Sequence, residues 1–176
     1  GVVGGLVYLS VSNFHRMDSL AIPEDPVREV LLESDGVLTP EWFHRRIGVR
    51  RDIPLLKVDI RRIKERIEAT GQVAEAVVSR ELPDRLRITV HERRPLLRAR
   101  LRTPEGRYRM VLVAEDGAVY DGEEYTAADL KDLPFLGGTR VRRSGGRYLP
   151  VAGMGRVADL LEAARKHYPE FAKGWR

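Results

Sequence analysis

The sequence predicts an α+β fold: a sheet covered on one side by two helices, followed by a mostly β unit with one helix. Three observations predict it. Ile60, Ile63 and Ile67 recur at helical spacing on one face. Leu86, Ile88 and Val90 alternate with Arg85, Arg87, Thr89 and His91, which is the period of a strand with one apolar and one polar face. Turn and cap signals then cut residues 27–92 into the order β-α-α-β-β.

VREVLLES (27–34) reads as a strand closed by a turn at Asp35-Gly36. Thr39 is a good N-cap, and Pro40 suits the first helical position because its missing N–H is unpaired there anyway. A short helix follows through Trp42, Phe43 and Ile47 and stops near Gly48. Asp59 caps the clearest helix, which Gly71 ends. On its outer face Arg61 pairs with Glu65 and Lys64 with Glu68 at i, i+4. VAEAVVSREL and RLRITVHE then form a hairpin through Leu82-Pro83-Asp84.

The character changes after Arg93-Arg94-Pro95, which marks the boundary of two units. Residues 93–109 hold seven arginines and one acid, Glu105. A second hairpin pairs MVLVA with AVY across Glu115-Asp116-Gly117. An acidic segment, 115–132, leads to LPFLGG. An Arg- and Gly-rich loop, 139–147, precedes a helix from about Gly155 to Tyr168, with Val157, Leu160, Leu161 and Ala164 as its apolar stripe.

The chain of 176 residues is 43% hydrophobic and 32% charged, which supports a core and argues against wholesale disorder. A formal charge of +5 permits an anionic partner without requiring one. Cysteine is absent, so disulfides, thiol nucleophiles and zinc–thiolate sites are excluded. The opening GVVGGLVYLSV carries no charge. It is shorter than the roughly 20 apolar residues of a membrane span. The end of a membrane helix, the tail of a signal h-region and a core strand all remain open for it. Residues 12–26, broken by Pro23 and Pro26, read as a connector.

No catalytic constellation emerges. His15, His44, His91 and His167 lie far apart, and none has the i+3 or i+4 partner that a helical metal pair needs. Asp121, Glu123 and Glu124 fit an acidic loop better than a general acid–base pair. There is no G-x-S-x-G elbow, and Gly145-Gly146 is too brief to cradle a phosphate. The arginines of 80–109 and 140–147 suit phosphates, but the basic strand 85–93 lacks the interleaved aromatics of single-strand binders.

Several stretches, in order, resemble the bacterial cell-division family FtsQ, called DivIB in Gram-positive bacteria. They are VREVLLESDGVLT, LLKVDIRRIKERIEA, VAEAVVSRELPDRLRITVHERRP, VLVAEDGAVYD and LPFLGG. The resemblance covers about residues 27–176. It implies a POTRA domain over 27–95, with a mixed three-stranded sheet and both helices on one face, and an incomplete β domain over 96–176. Residues 1–11 then become the end of a transmembrane helix and 12–26 the connector. It also implies a single-pass inner-membrane protein at the septum with its bulk outside the cytoplasm. Such a protein has no enzymatic activity and no cofactor. It joins FtsL- and FtsB-type partners and couples septal peptidoglycan synthesis to the division ring.

The family's FtsB-contacting region would begin near Lys173 and Trp175, where the lysine can pair with a partner carboxylate; the plainer alternative is a core Trp175 and a solvated Lys173. The basic face Arg85, Arg87 and His91 offers a contact for another division protein or acidic lipid headgroups; the plainer alternative is a solvated strand face. Two departures stand out. The family continues past the Trp with more strands, the last of which takes FtsB by strand addition, whereas this sequence ends at Arg176. And ATGQV stands where many relatives have Leu-Pro-Trp-Val. The alternatives are a POTRA module of an outer-membrane assembly or secretion protein, and a basic nucleic-acid-binding domain.

Overall fold

The alternation in RLRITVHE makes β3 (Arg85–Glu92) the middle strand of a three-stranded sheet in the computed structural model, which describes residues 25–103, 105–138 and 141–170. Strand β1 (Glu29–Ser34) pairs with it in parallel, and β2 (Val73–Glu81) pairs with it antiparallel. Between β1 and β2 run helices α1 (Pro40–Arg46) and α2 (Ile60–Glu68), joined by a 3-10 turn at Leu55–Lys57. This is the expected mixed sheet and β-α-α-β-β order. The membrane-helix reading of 1–11, nearly all of the connector, Lys173 and Trp175 lie outside the described residues. Among the described residues no helix is long and apolar enough to cross a membrane.

The caps are those the sequence announces. Thr39 Oγ1 accepts from the Trp42 N–H at 3.2 Å, with Pro40 opening α1. Asp59 accepts from the Arg62 N–H at 2.9 Å and starts α2. Each cap satisfies a donor that the helix itself leaves unpaired. One core then forms between helices and sheet. Ile63 and Ile67 of α2, Trp42 and Phe43 of α1, and Leu86, Ile88 and Val90 of β3 are all buried in it, and Ile60 packs at its margin. Ala76 of β2 is fully buried, and its lack of bulk lets α2 lie close to that strand. Burying each isoleucine or leucine side chain of this core contributes about 1.5–3 kcal/mol.

The second sheet runs β4 (Pro95–Arg102), β5 (Tyr108–Ala114) and β6 (Val119–Tyr120), all antiparallel. Strand β4 was not anticipated. Its arginines drew the reading toward a basic segment, yet Leu97, Ala99 and Leu101 alternate with Arg98, Arg100 and Arg102 as regularly as in β3. Gly117 makes the β5–β6 turn possible: its φ is +84°, and a Cβ there would meet the Val151 carbonyl oxygen at 2.2 Å. A short helix α3 (Ala127–Leu130), a hairpin of β7 (Arg143–Ser144) with β8 (Arg147–Tyr148), and α4 (Met154–His167) complete the described chain.

Helix α4 covers one face of this sheet with Met154 and Leu161, against Leu97, Ala99, Val111 and Val113. Leu160, expected in the apolar stripe, is 62% exposed. The helix turns Leu161 and Ala164 inward, and Met154 takes the place at its start. Leu112, Ala114 and Tyr120 face the other way, into a small third cluster with Tyr125, Leu130 and Leu133.

Replacing Ile67, which is fully buried, with alanine is expected to cost about 2–5 kcal/mol in urea unfolding. Leu160→Ala is expected to stay within about 0.5 kcal/mol. Equal losses at the two sites would refute the placement of the core.

Candidate protein-interaction site

The outer face of the first sheet carries the arginines that the sequence singles out, and β-strand alternation sets them beside carboxylates. The Arg85 guanidinium lies 2.7 Å from Glu29 and 3.6 Å from Glu81. Arg87 forks between Glu33 and Glu81. The His91 ring lies 3.1 Å from Asp35, whose other oxygen accepts the Glu92 N–H at 2.7 Å. That N–H and the His91 ring together hold the Asp35 carboxyl below its ordinary value. Arg85, Arg87 and His91 therefore do share one face, as expected. It is not a bare basic ribbon: Arg85, Arg87 and His91 each have a carboxylate neighbour. The glutamates were legible in VREVLLES and SREL, but matching them to Arg85 and Arg87 required the parallel register Glu29↔Arg85.

Other arginines of the predicted phosphate set are occupied as well. Arg80 points to the helix side of the sheet and donates to the Leu55 carbonyl at 3.1 Å and the Val58 carbonyl at 2.5 Å. Arg93 does more. Its Nη1 donates to the carbonyls of Gly71 at 3.0 Å and Val73 at 2.7 Å, while its Nε reaches Asp116 at 2.7 Å. One planar fork thus ties the start of β2 to the β5–β6 turn. The Tyr120 hydroxyl closes the same corner by donating to the Arg93 carbonyl at 3.0 Å.

Gln72 sits beside it, 1% exposed. Its amide nitrogen donates to Glu92 and to the Glu123 carbonyl, each at 3.0 Å, and its amide oxygen accepts the Glu123 N–H at 2.9 Å. The fully buried Trp42 donates its indole N–H to the Glu123 carboxylate at 2.5 Å. Arg45 pairs with Glu124, and Arg46 with Glu123 at 3.2 Å. The acidic stretch around Glu123 is therefore a loop that clasps α1. Sequence reasoning missed Gln72, Arg93 and Trp42 as polar anchors. The one signal was the place of Gln72 in ATGQV, where the family pattern has an apolar run. Among the described residues no group of His, Asp and Glu is arranged to hold a metal ion.

Comparisons with known proteins agree with this geometry. The model of the POTRA domain, FtsQ-type, matches residues 26–93, which span the first sheet and its helices. The cell division protein FtsQ of Caulobacter vibrioides is 32% identical over 117 residues, covering 66% of this chain and 36% of that protein. FtsQ of Mycobacterium bovis is 33% identical over 75 residues, 43% of this chain and 24% of the relative. FtsQ of Mycobacterium leprae is 31% identical over 104 residues, 55% and 30% respectively. The chain thus spans about a third or less of the length of these relatives. Residues 26–93 are similar to the FtsQ-type POTRA domain, and the relatives matched are FtsQ cell division proteins.

Arg93→Ala removes donors from two carbonyls and a carboxylate at once. It is expected to cost roughly 1–3 kcal/mol of unfolding free energy, and Arg93→Lys to recover only part of that, since a lysine has no fork. Asp116 adds a pH signature. Burial pushes its carboxyl up, but Arg93 and the Ala118 N–H together pull it further down, below the ordinary 3.8. A folded value below the unfolded one stabilises above pH 3.8, and that stabilisation is lost as pH falls through the lower folded value. The urea midpoint of Asp116→Asn is therefore expected to fall less steeply in acid than that of the unaltered protein.

Proposed function

We propose that this chain is part of an FtsQ/DivIB-family protein that acts in bacterial cell division as a non-enzymatic scaffold of the septal machinery. The observation that carries this reading is the FtsQ-type match laid over residues 26–93, the β-α-α-β-β unit with sheet order β1-β3-β2. The relatives that match are named cell division proteins. The FtsQ type of the match favours this reading over a module of outer-membrane assembly or secretion. Arg80, Arg85, Arg87 and Arg93 are engaged within the protein, which leaves them few charges to offer a nucleic acid.

The finer picture follows from the family. The protein is held by a single helix in the inner membrane, with this region outside the cytoplasm. It joins FtsB- and FtsL-type partners and links them to septal peptidoglycan synthesis. Lys173 and Trp175 open the FtsB-contacting segment, with the lysine pairing a partner carboxylate. The Arg85/Arg87/His91 face meets a second division protein or acidic headgroups. Its charges are already balanced, so recognition there rests on matched mixed-charge pairs, which set orientation more than affinity.

The test is cellular. In the bacterium that encodes it, the full-length protein fused to a fluorescent reporter is expected to gather at the constriction site, and its depletion to yield undivided filaments. A uniform signal with normal division on depletion would overturn the reading.

A further inference from the structure

One face of the second sheet is only half covered. Leu112 and Ala114 lie under Tyr125, Leu130 and Leu133, but the cover stops there. Beyond Leu112 the register pairs Arg100 with Met110 and Arg102 with Tyr108. Tyr108 is 70% exposed, Met110 44% and Phe135 39%. The Arg98 and Arg100 guanidiniums lie over the Phe135 ring, 4.4 and 5.3 Å from its centroid. Among the described residues neither Arg100 nor Arg102 forms an ion pair, in contrast to Arg85 and Arg87 on the first sheet. The outer edge of β4 is half covered too. The Arg98 N–H donates to the Pro134 carbonyl at 2.8 Å, and its carbonyl accepts the Leu136 N–H at 2.7 Å. Strand alternation turns the backbone groups of Arg100 and Arg102 to that same edge, past the end of the 134–136 strip.

We propose that this corner of the second sheet docks an extended, acidic segment of a partner protein, laid along β4 beyond residues 134–136. Charge complementarity selects the occupant. Arg100 and Arg102 stand two residues apart on one face, about 6.6 Å along the strand, the same step as carboxylates at i and i+2 of an extended chain. Among the described residues the N–H and C=O groups of Arg100 and Arg102 have no backbone partner, and they receive the segment's backbone, as in strand addition. Tyr, Met, Phe and Arg are the side chains enriched in interface centres, and here they are exposed together. A nucleic acid fits less well. The Phe135 face is already taken by arginines, so Tyr108 is the one ring left for stacking, whereas single-strand binders use successive rings. The proposal stands whether or not the divisome reading holds.

Fluorescence anisotropy on the full chain tests it. The probes are a labelled synthetic peptide alternating glutamate with valine and tyrosine, its glutamine counterpart, and a single-stranded oligonucleotide. The acidic peptide is expected to bind at least about tenfold tighter than the glutamine peptide and to weaken as salt rises. Arg100→Glu with Arg102→Glu is expected to cost about tenfold or more, and Tyr108→Ala several-fold, with circular dichroism unchanged. Arg62→Glu, on the exposed face of α2, is expected to change nothing. The proposal is overturned by equal affinity for both peptides, by equal loss in the Arg62 variant, by tighter binding of the oligonucleotide through Arg100 and Arg102, or by no binding of the acidic peptide.

Discussion

Burial of one face of β3 is the constraint on which the rest of the first unit depends. Leu86, Ile88 and Val90 have no exposed surface, and Ile63 and Ile67 of α2 lie in the same core. A strand with period 2 has no choice once one face is buried: the intervening residues must face out. Arg85, Arg87, Thr89 and His91 are on the surface for that reason alone. The parallel pairing with β1 then supplies Glu29 and Glu33, and the hairpin supplies Glu81. A slip of one residue would bury two guanidiniums and expose three aliphatic side chains. Exposed ion pairs contribute at most about 1 kcal/mol each, so the glutamates balance the face without holding it together.

The second constraint is polar. Where β3 ends, the chain must turn into β4 while the backbone groups of 71–73 and 93 stay paired. Arg93 and Gln72 do this with directional bonds, and Tyr120 and Trp42 bring their polar ends to the same corner. A buried polar group without a partner costs about as much as several good contacts contribute. The corner is thereby specified closely, and Glu123 and Glu124 clasp α1 from the segment that follows β6. The outward faces of both sheets are in this way presented by supports that side-chain chemistry holds in place.

How far the sequence reveals this depends on range. The caps at Thr39 and Asp59, the rows at Ile63/Ile67 and Leu86/Ile88/Val90, and the turn at Leu82-Pro83 were all legible, because each is a local pattern. Strand β4 carried the same pattern, but its arginines masked it. Leu160 was misplaced because the sheet covers only part of α4, and sequence does not say which of two adjacent leucines meets it. The Gln72–Glu123 and Arg93–Asp116 contacts were not legible. They join residues 51 and 23 positions apart, and a glutamine or arginine reads as solvated until the fold encloses it. The candidate surfaces divide the same way: the β3 face was visible as a face, but its neutralisation by β1 was not.

Native-state amide hydrogen exchange, resolved by residue, bears most directly on the claim that α2 and β3 share one core. The amides of Leu86, Ile88 and Val90 in β3 and those of Ile63 and Ile67 in α2 are expected to open together, at the highest free energy in residues 26–93. If α2 instead exchanges by fraying at a much lower free energy while β3 stays protected, helix and strand do not form one cooperative core, and the account of the outward faces loses its support.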